Sequence, residues 1–183
     1  GELSYKFTDQ LTATFGGRYF EFDRERRTQT SFLSVPIADL ATIGKGEDQT
    51  YKFNLSYQPN DDLLLYGQWS QGFRLGSPQE ILIPQCDPDG DGVVEGVFIP
   101  ENVEADTSES FELGVKATLL DDRVAVNAAV YHTDWEEIPI SVPFVCGLLY
   151  TFNAGSSKSQ GVELEIQAQL TENLLVNMGT SYN

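Results

Sequence analysis

The stretch Ser108–Trp135 reads SESFELGVKATLL, then DDR, then VAVNAAVYHTDW, and its side chains alternate between apolar and polar. Phe111, Leu113 and Val115 fall on one side of the first arm, whereas Glu112 falls on the other. Successive side chains of a strand point to opposite faces, while a helix places its apolar residues three and four apart. The pattern therefore predicts two amphipathic strands.

A polar turn at Asp121 and Asp122 joins these two strands, so the unit is predicted to be an antiparallel hairpin. Each arm has roughly ten or more residues, whereas a strand of an ordinary soluble protein has about five or six. A tilted strand needs about nine to eleven residues to cross a bilayer. The strand length therefore favours a membrane protein.

The same alternation recurs on both sides of the hairpin and predicts eight strands in total. They span residues 2–8, 11–23, 51–58, 63–70, 108–119, 124–135, 162–170 and 174–182. Polar turns near residues 9, 60, 121 and 172 alternate with long irregular stretches at 24–46, 73–107 and 138–157, which we predict to be loops. Short turns at one end and long loops at the other are typical of an outer-membrane β-barrel. A soluble sandwich or up-and-down barrel is the alternative, since its strands also alternate.

The composition excludes some classes of protein. The net charge is −17, from 28 acidic and 11 basic residues, which is the wrong sign for a nucleic-acid-binding protein. The mean hydropathy is −0.25 and no long apolar run is present, so the sequence predicts no transmembrane helix. A barrel remains compatible with these values, because alternation averages out its apolar band. Aromatic residues near strand ends, Trp69 and Trp135 among them, predict interfacial girdles.

Four segments, taken in order, resemble strands of the TonB-dependent outer-membrane receptors. They are YGQWSQGFR at 66–74, TSESFELGVK at 107–116, VYHTDWEEI at 130–138 and FNAGSSKSQGVELE at 152–165. The resemblance covers nearly the whole chain and matches the downstream part of the family's barrel. One departure, at the exit of the preceding loop, is that Glu104-Ala105-Asp106 replaces the Pro-Glu pair that often precedes the Glu-Leu-Gly strand.

The resemblance implies an all-β fold and a location in the bacterial outer membrane. It implies an antiparallel barrel of about twenty-two strands, of which residues 1–183 supply about eight as a fragment of the barrel domain. A plug domain and a TonB-contacting segment are expected to be absent from this chain. The implied function is energy-coupled uptake of a scarce bulky nutrient, such as an iron–siderophore complex, with no enzymatic chemistry. The implied partners are outer-membrane lipid, the TonB complex acting through the missing N-terminal region, and a nutrient ligand at the external loops.

Two other functions remain open at this stage. A passive outer-membrane porin would have the same strands but neither a plug nor saturation by a ligand. A soluble calcium-binding β-domain would instead cover the apolar face of Phe111, Leu113 and Val115 with another protein layer.

One acidic loop has the spacing of a metal site. Asp87, Asp89 and Asp91 alternate and are followed by glycine, as in the first half of an EF-hand calcium loop. The glutamate that closes an EF-hand is missing, and Glu95 is the candidate to close a shorter site. A flexible acidic loop without metal is the alternative. Calcium is the one cofactor that the sequence suggests.

Cys86 and Cys146 lie in two successive predicted loops on the same side, where an oxidising exterior favours a disulfide. Two unrelated loop thiols are the alternative. His132 is the one histidine of the chain, and alternation places it on the apolar row near a strand end, which predicts an interface residue. No base accompanies either cysteine, so a Cys–His nucleophile has little support.

Charged residues on the polar strand faces are expected to line the interior of the barrel and to contact the plug. They are Glu112, Lys116, Glu163 and Glu165. A second set of charges, near the bases of the loops, is basic and suggests either a solvated cluster or a site that attracts an anionic ligand. It comprises Arg24, Arg26, Arg27 and Arg74.

Overall fold

A computed structural model describes residues 1–32, 35–79 and 86–183, apart from the side chains of Arg26 and of residues 28–42. Its elements are β1 Glu2–Lys6, β2 Leu11–Phe32, β3 Val35–Asn60, β4 Leu63–Arg74, β5 Ser77–Pro78, β6 Val93–Val94, β7 Val97–Phe98, β8 Asn102–Val103, β9 Asp106–Leu119, β10 Val124–Pro143, β11 Leu149–Thr171 and β12 Leu174–Tyr182. Within these residues, no helix is long and apolar enough to cross a membrane.

Eight long strands form one antiparallel sheet in the order β1-β2-β3-β4-β9-β10-β11-β12. Strands adjacent in the chain are adjacent in space, and β4 pairs with β9 across the intervening segment. Ala128 of β10 lies opposite Val115 of β9 on one side and Leu164 of β11 on the other, so the apolar residues form continuous rows. The eight predicted strands and their antiparallel arrangement are confirmed, and the sheet does not close on itself.

Two of the predicted loops are wrong. β2 and β3, of 22 and 26 residues, continue as a paired hairpin through most of 24–46, with Arg24 opposite Gly44. β10 and β11 likewise pair up to Pro143 and Leu149. A ladder of backbone hydrogen bonds needs no apolar alternation, so the strands extend beyond the part of the sequence that shows it. At about 3.3 Å per residue, β2 is roughly 70 Å long, well over the ~30 Å of a bilayer's hydrocarbon.

The sheet has an outward apolar face and an inward polar face. Large apolar side chains on the outward face are exposed, with Leu113 at 64% and Phe111 at 49%. Trp69, Phe111 and His132 lie in one row across β4, β9 and β10, at the loop end of the apolar band. No other part of the described chain covers this face, which therefore suits a lipid environment.

The buried apolar residues of the described chain lie at the loop end rather than in the membrane-level part of the sheet. Cys86, Val94, Ile99 and Tyr150 form a small core, against which side chains of the β10–β11 hairpin pack. Tyr150 is fully buried. Residues 86–105, between β4 and β9, therefore pack on the top of the β10–β11 hairpin, and we call residues 86–105 and 143–152 the loop platform. The platform carries the β6–β7 ladder and strand β8, which pairs with β5 outside it.

The two faces give a first testable prediction. Val115 lies midway along the outward apolar row of β9, between Leu65 and Ala128. Replacing it by arginine puts a charge in the lipid and is expected to destabilise the folded protein by about 2–4 kcal/mol. The measurement is denaturant unfolding in lipid vesicles. Asn127→Arg, on the inward face of the neighbouring strand, is the matched control, and an equal loss in both variants would contradict the assignment of the faces.

Candidate functional site

Three side chains converge on the inward face where β4, β9 and β10 reach the loop end. Arg74 donates from Nε to Oδ1 of Asp106 at 3.0 Å and from Nη2 to Oδ2 at 2.7 Å. The indole N–H of Trp135 donates to the same Oδ2 at 2.6 Å, and the Arg74 guanidinium carbon lies 5.1 Å from the Trp135 ring centroid. We call this group the mouth cluster. It joins three strands through one carboxylate.

Asp106 is the centre of the mouth cluster because its side chain is 3% exposed while that of Arg74 is 58% exposed. Burial alone would raise the pKa of Asp106, but the hydrogen bonds from Arg74 and Trp135, together with the guanidinium charge, hold that pKa below its usual range. Asp106 belongs to the tripeptide that departs from the family pattern, and it is a central structural residue at this loop exit. Trp135 therefore faces inward, and its predicted place in an outward girdle is wrong.

A second inward group lies deeper, within the membrane-level part of the sheet. The hydroxyl of Tyr66 donates to Oε1 of Glu112 at 2.6 Å, and the Lys116 ammonium lies 5.9 Å from the Tyr66 ring. The ring lies across Gly114, where a Cβ would come within 2.4 Å of it. Only glycine leaves room for this ring. Glu163 and Glu165 lie opposite Ala129 and Asn127, so the four predicted inward charges all share this face.

His132 lies on the outward face, where the sequence predicted it. Its Nε2 is 2.9 Å from Oδ2 of Asp134, and the Lys158 ammonium is 2.9 Å from the other oxygen. Hydrogen bonds from Lys158 and then from His132 lower the pKa of Asp134. His132 therefore has a carboxylate partner at the rim of the apolar band, and no nucleophile lies among its described partners.

The loop platform is cross-linked at several points. A disulfide joins Cys86 to Cys146, with their Cα atoms 5.2 Å apart. Gln79 donates from Nε2 to the carbonyl of Thr151 at 2.6 Å. Asn153 accepts from the amide of Glu104 at 2.8 Å and donates to its carbonyl at 3.0 Å. These contacts attach Gln79, Cys86 and Glu104 to the β10–β11 hairpin.

The acidic loop brings together three of its four candidate ligands. The carboxylate oxygens of Asp87, Asp89 and Asp91 lie within 4.8 Å of one another. Asp87 is buried, and its two oxygens accept the amide hydrogens of Asp91 and Gly92. Glu95 does not join this group, because its carboxylate accepts the amide hydrogen of Val145 at 2.7 Å.

The basic residues near the loop bases have separate roles. Arg74 belongs to the mouth cluster, Arg24 donates to the carbonyl of Gly76 at 3.2 Å, and Arg27 pairs outward with Glu25 at 2.8 Å. The side chain of Arg26 lies outside the described residues. The three arginines whose side chains are described do not form a single cluster.

Sequence analysis missed the contact between Phe20 and Phe73, whose rings are stacked with centroids 3.7 Å apart. Counting alternate residues from Leu11, Ala13 and Phe15 places Phe20 on the other side of β2, where a large apolar residue is unusual, and this is the signal that the sequence offers.

The mouth cluster gives a second prediction, with a defined pH dependence. Asp106→Asn removes the charge that both donors share, and we expect a local loss of about 1.5–3 kcal/mol. Hydrogen exchange of residues 104–108 at neutral pH should then be at least about tenfold faster. Because the folded pKa is lowered, this stabilisation is present above the ordinary carboxyl pKa and disappears as the pH falls through the folded value.

The control is Glu109→Gln, which changes an exposed carboxylate three residues along the same strand. It should leave the exchange of residues 104–108 unchanged. Equal exchange in Asp106→Asn and the unmodified protein at neutral pH would contradict the central role of Asp106.

Comparison with known proteins identifies the family. The family model described as "TonB dependent receptor-like, beta-barrel" matches residues 1–183. The metal-pseudopaline receptor CntO of Pseudomonas aeruginosa is 29% identical over 170 residues, which cover 92% of this chain and 21% of that protein. The probable TonB-dependent siderophore receptor PiuA of Acinetobacter baumannii is 21% identical over 178 residues, 97% of this chain and 22% of that protein.

Solved structures agree on the fold. The ferric yersiniabactin uptake receptor FyuA from Yersinia pestis superposes with a TM-score of 0.70 at 19% identity, over 98% of this chain and 26% of that one. The chain thus spans about a fifth of the length of the curated relatives it matches. The family match over the full 183 residues, joined to the amphipathic antiparallel sheet, shows that this chain belongs to the β-barrel family of TonB-dependent receptors of the bacterial outer membrane.

Proposed function

We propose that this chain forms part of the barrel wall of a receptor that imports a metal–siderophore complex, such as an iron–siderophore, across the outer membrane. The observation that carries the proposal is the unequal construction of the two ends of the sheet. At one end of the sheet short polar turns join the strands, whereas the other end carries the cross-linked loop platform and the inward-facing mouth cluster. An ordered loop end suits ligand capture, because a preformed site loses less entropy on binding.

The names of the relatives support the ligand class. One is a receptor for metal-pseudopaline, one is a probable siderophore receptor, and one takes up ferric yersiniabactin. All three names describe receptors for metal chelates, and we extend this class to the present chain.

In the proposed mechanism the barrel wall and the plug domain have different roles. The paired strands supply a wall with no unpaired backbone in lipid, and the inward charges, including Glu112 and Lys116, contact a plug domain. Force from the TonB complex, acting through an N-terminal region, then rearranges the plug and opens a path. The chain makes and breaks no covalent bonds in this scheme.

Uptake experiments test this function directly. The receptor that carries this chain is expressed in a Gram-negative host lacking its own ferric-chelate receptors, and ferric hydroxamate, catecholate and carboxylate siderophores labelled with radioiron are supplied. We expect saturable uptake of at least one complex and its loss when TonB is deleted. Uptake that rises linearly with concentration and persists without TonB would instead indicate a passive porin.

We further propose that the acidic loop of Asp87, Asp89 and Asp91 binds calcium. The three carboxylates already lie together, and hard oxygen ligands suit this ion. With Glu95 engaged elsewhere, only three protein carboxylates are available, so we expect a dissociation constant in the range of extracellular modules, about 10⁻⁴–10⁻³ M.

Calcium binding to the receptor is measured by titration calorimetry. The double variant Asp89→Asn, Asp91→Asn should abolish the binding, and Glu101→Gln, which changes an exposed carboxylate of the same loop, should leave it unchanged. If the unmodified receptor gives no saturable heat of binding at calcium concentrations about tenfold above the expected dissociation constant, the site is ruled out.

A further inference from the structure

The sheet opens between β3 and β4 at the loop end. The ladder that joins these two strands ends at the pair Lys52 and Ser70. Beyond this pair β3 remains paired with β2, and β4 runs on to Arg74 paired with β9. Residues 45–51 of β3 therefore form an edge inside the sheet, which no described strand pairs with on the β4 side. We call these residues the β3 edge.

The backbone amides of alternate residues in the β3 edge point into this gap. Gly17, which lies opposite Tyr51, donates its amide hydrogen to the carbonyl of Gly1 rather than to β3. Tyr51 and Gly17 are therefore a pair without mutual hydrogen bonds in the β2–β3 ladder, and the amide of Tyr51 faces away from β2. Every second residue of a strand shares this direction, so the amides of Gln49 and Glu47 face the gap as well.

Side chains occupy hydrogen-bonding positions that a neighbouring strand would otherwise fill. Oε1 of Gln71 accepts the amide hydrogen of Tyr51 at 3.3 Å, while Nε2 of Gln71 donates to Oε1 of Glu109 on β9 at 3.2 Å. The Gln49 amide donates to Oδ1 of Asp48 at 2.7 Å. The carboxamide of Gln71 offers the same donor and acceptor as a peptide group, so it stands in for the backbone of an additional strand. Side chains cap this edge without closing it permanently, since a strand can replace them.

The gap contains a cavity of about 480 Å³ between residues 48–50 of β3 and 71–73 of β4. The side chain of Phe73 reaches across from β4 and stacks on Phe20 of β2, so side chains bridge the sheet where backbone pairing stops. A cavity of about 150 Å³ accommodates benzene, and this larger one therefore has room for a short stretch of extended chain.

The lining of this cavity is mostly acidic. Its charged members are four carboxylates and one ammonium group, on Asp48, Glu109, Asp134, Glu136 and Lys158. Lys158 pairs with Asp134 at 2.9 Å, whereas no ion pair within the described part of the chain engages the other three carboxylates. A partner with basic side chains is complementary to this lining.

We propose that the β3 edge is a docking site for an extended basic segment of a partner polypeptide at the cell surface. The segment enters between β3 and β4, takes the place of the Gln71 carboxamide, and pairs as an added strand with the amides of residues 47, 49 and 51. Its basic side chains lie beside Glu109 and Glu136. Backbone pairing supplies the affinity, and the acidic lining selects the charge. The site belongs to the barrel wall and does not depend on which ligand the receptor imports.

Three fluorescent hexapeptides test this docking site by titration with the receptor carrying this chain in detergent micelles. The first alternates lysine and valine, the second is the same peptide methylated on every backbone nitrogen, and the third alternates glutamate and valine. Strand addition needs backbone donors, and the acidic lining needs positive charge. We therefore expect the first peptide to bind at least about tenfold more tightly than either of the others, measured by fluorescence anisotropy. Its binding should also slow hydrogen exchange of residues 45–51 by at least about tenfold.

Receptor variants give each contact a definite sign. Gln71→Ala removes the side chain that competes for the edge and should tighten binding of the lysine peptide at least about threefold. Gln49→Pro removes an amide that faces the gap and should weaken binding, while the β2–β3 ladder persists because proline is tolerated on the unpaired side of a strand. Glu136→Gln should weaken binding as well. The matched control is Glu172→Gln, an exposed carboxylate at the turn end of the sheet, which should change nothing.

The outcomes separate strand addition from attraction by charge alone. Equal binding of the lysine peptide and its methylated form would indicate a purely electrostatic surface and would overturn the proposal. Absence of saturable binding up to about 1 mM lysine peptide, or binding without protection of residues 45–51, would overturn it too. A receptor that imports no siderophore but binds the lysine peptide as expected would contradict the transport proposal alone.

Discussion

Pairing of backbone N–H and C=O groups between neighbouring strands is the constraint on which the rest of this structure depends. In lipid no water is available to replace a missing hydrogen bond, and each unpaired group costs several kcal/mol. The long antiparallel ladders satisfy these groups along the sheet. Short turns at one end follow from this constraint, since they join neighbouring strands with little unpaired backbone. The outward apolar face follows too, since the paired backbone no longer needs water.

The position of the buried core follows from the same constraint. A sheet with lipid on one side and a barrel interior on the other has no second layer of its own chain to pack against. The described buried apolar residues therefore gather in the loop platform, around Tyr150 and the Cys86–Cys146 disulfide. On the inward face, isolated side-chain contacts take the place of a packed hydrophobic core. Tyr66 lies across Gly114 and donates to Glu112, so one residue fills the space over a glycine and satisfies a carboxylate.

The sequence predicted the fold well where one face of each strand contacts lipid. Leu113 and Val115 must be apolar there, so the alternation is visible in the sequence. The turn at Asp121 and Asp122 sets the register between β9 and β10. It failed between residues 24 and 46, where the strands extend beyond the part of the sequence that alternates. Backbone pairing continues through most of that region, because a ladder of backbone hydrogen bonds needs no apolar pattern in the side chains.

The candidate site was harder to predict because its residues come together only through the pairing of distant strands. Asp106 appeared in the sequence as a departure from a family pattern, and nothing local indicated that Arg74 and Trp135 would donate to it. Trp135 was assigned outward from its residue type, yet its N–H needs an acceptor, and the inward carboxylate supplies one. Glu95 was assigned to a metal by spacing alone, whereas in the folded loop its carboxylate accepts a hydrogen bond from the amide of Val145.

Net charge describes a barrel wall poorly, because the two faces of a strand are separate environments. Along β2 a step of one residue moves a side chain from the outer surface to the interior, so Glu21 and Phe20 are neighbours in the chain and meet different partners. Acidic residues outnumber basic residues in the chain, and along this part of β2 they lie on the outward face. Lys45 and Arg27 neutralise part of their charge there. The inward side chains of this part of β2, Arg18, Phe20, Phe22 and Arg24, carry positive charge only, so this strand face has a charge opposite in sign to that of the whole chain.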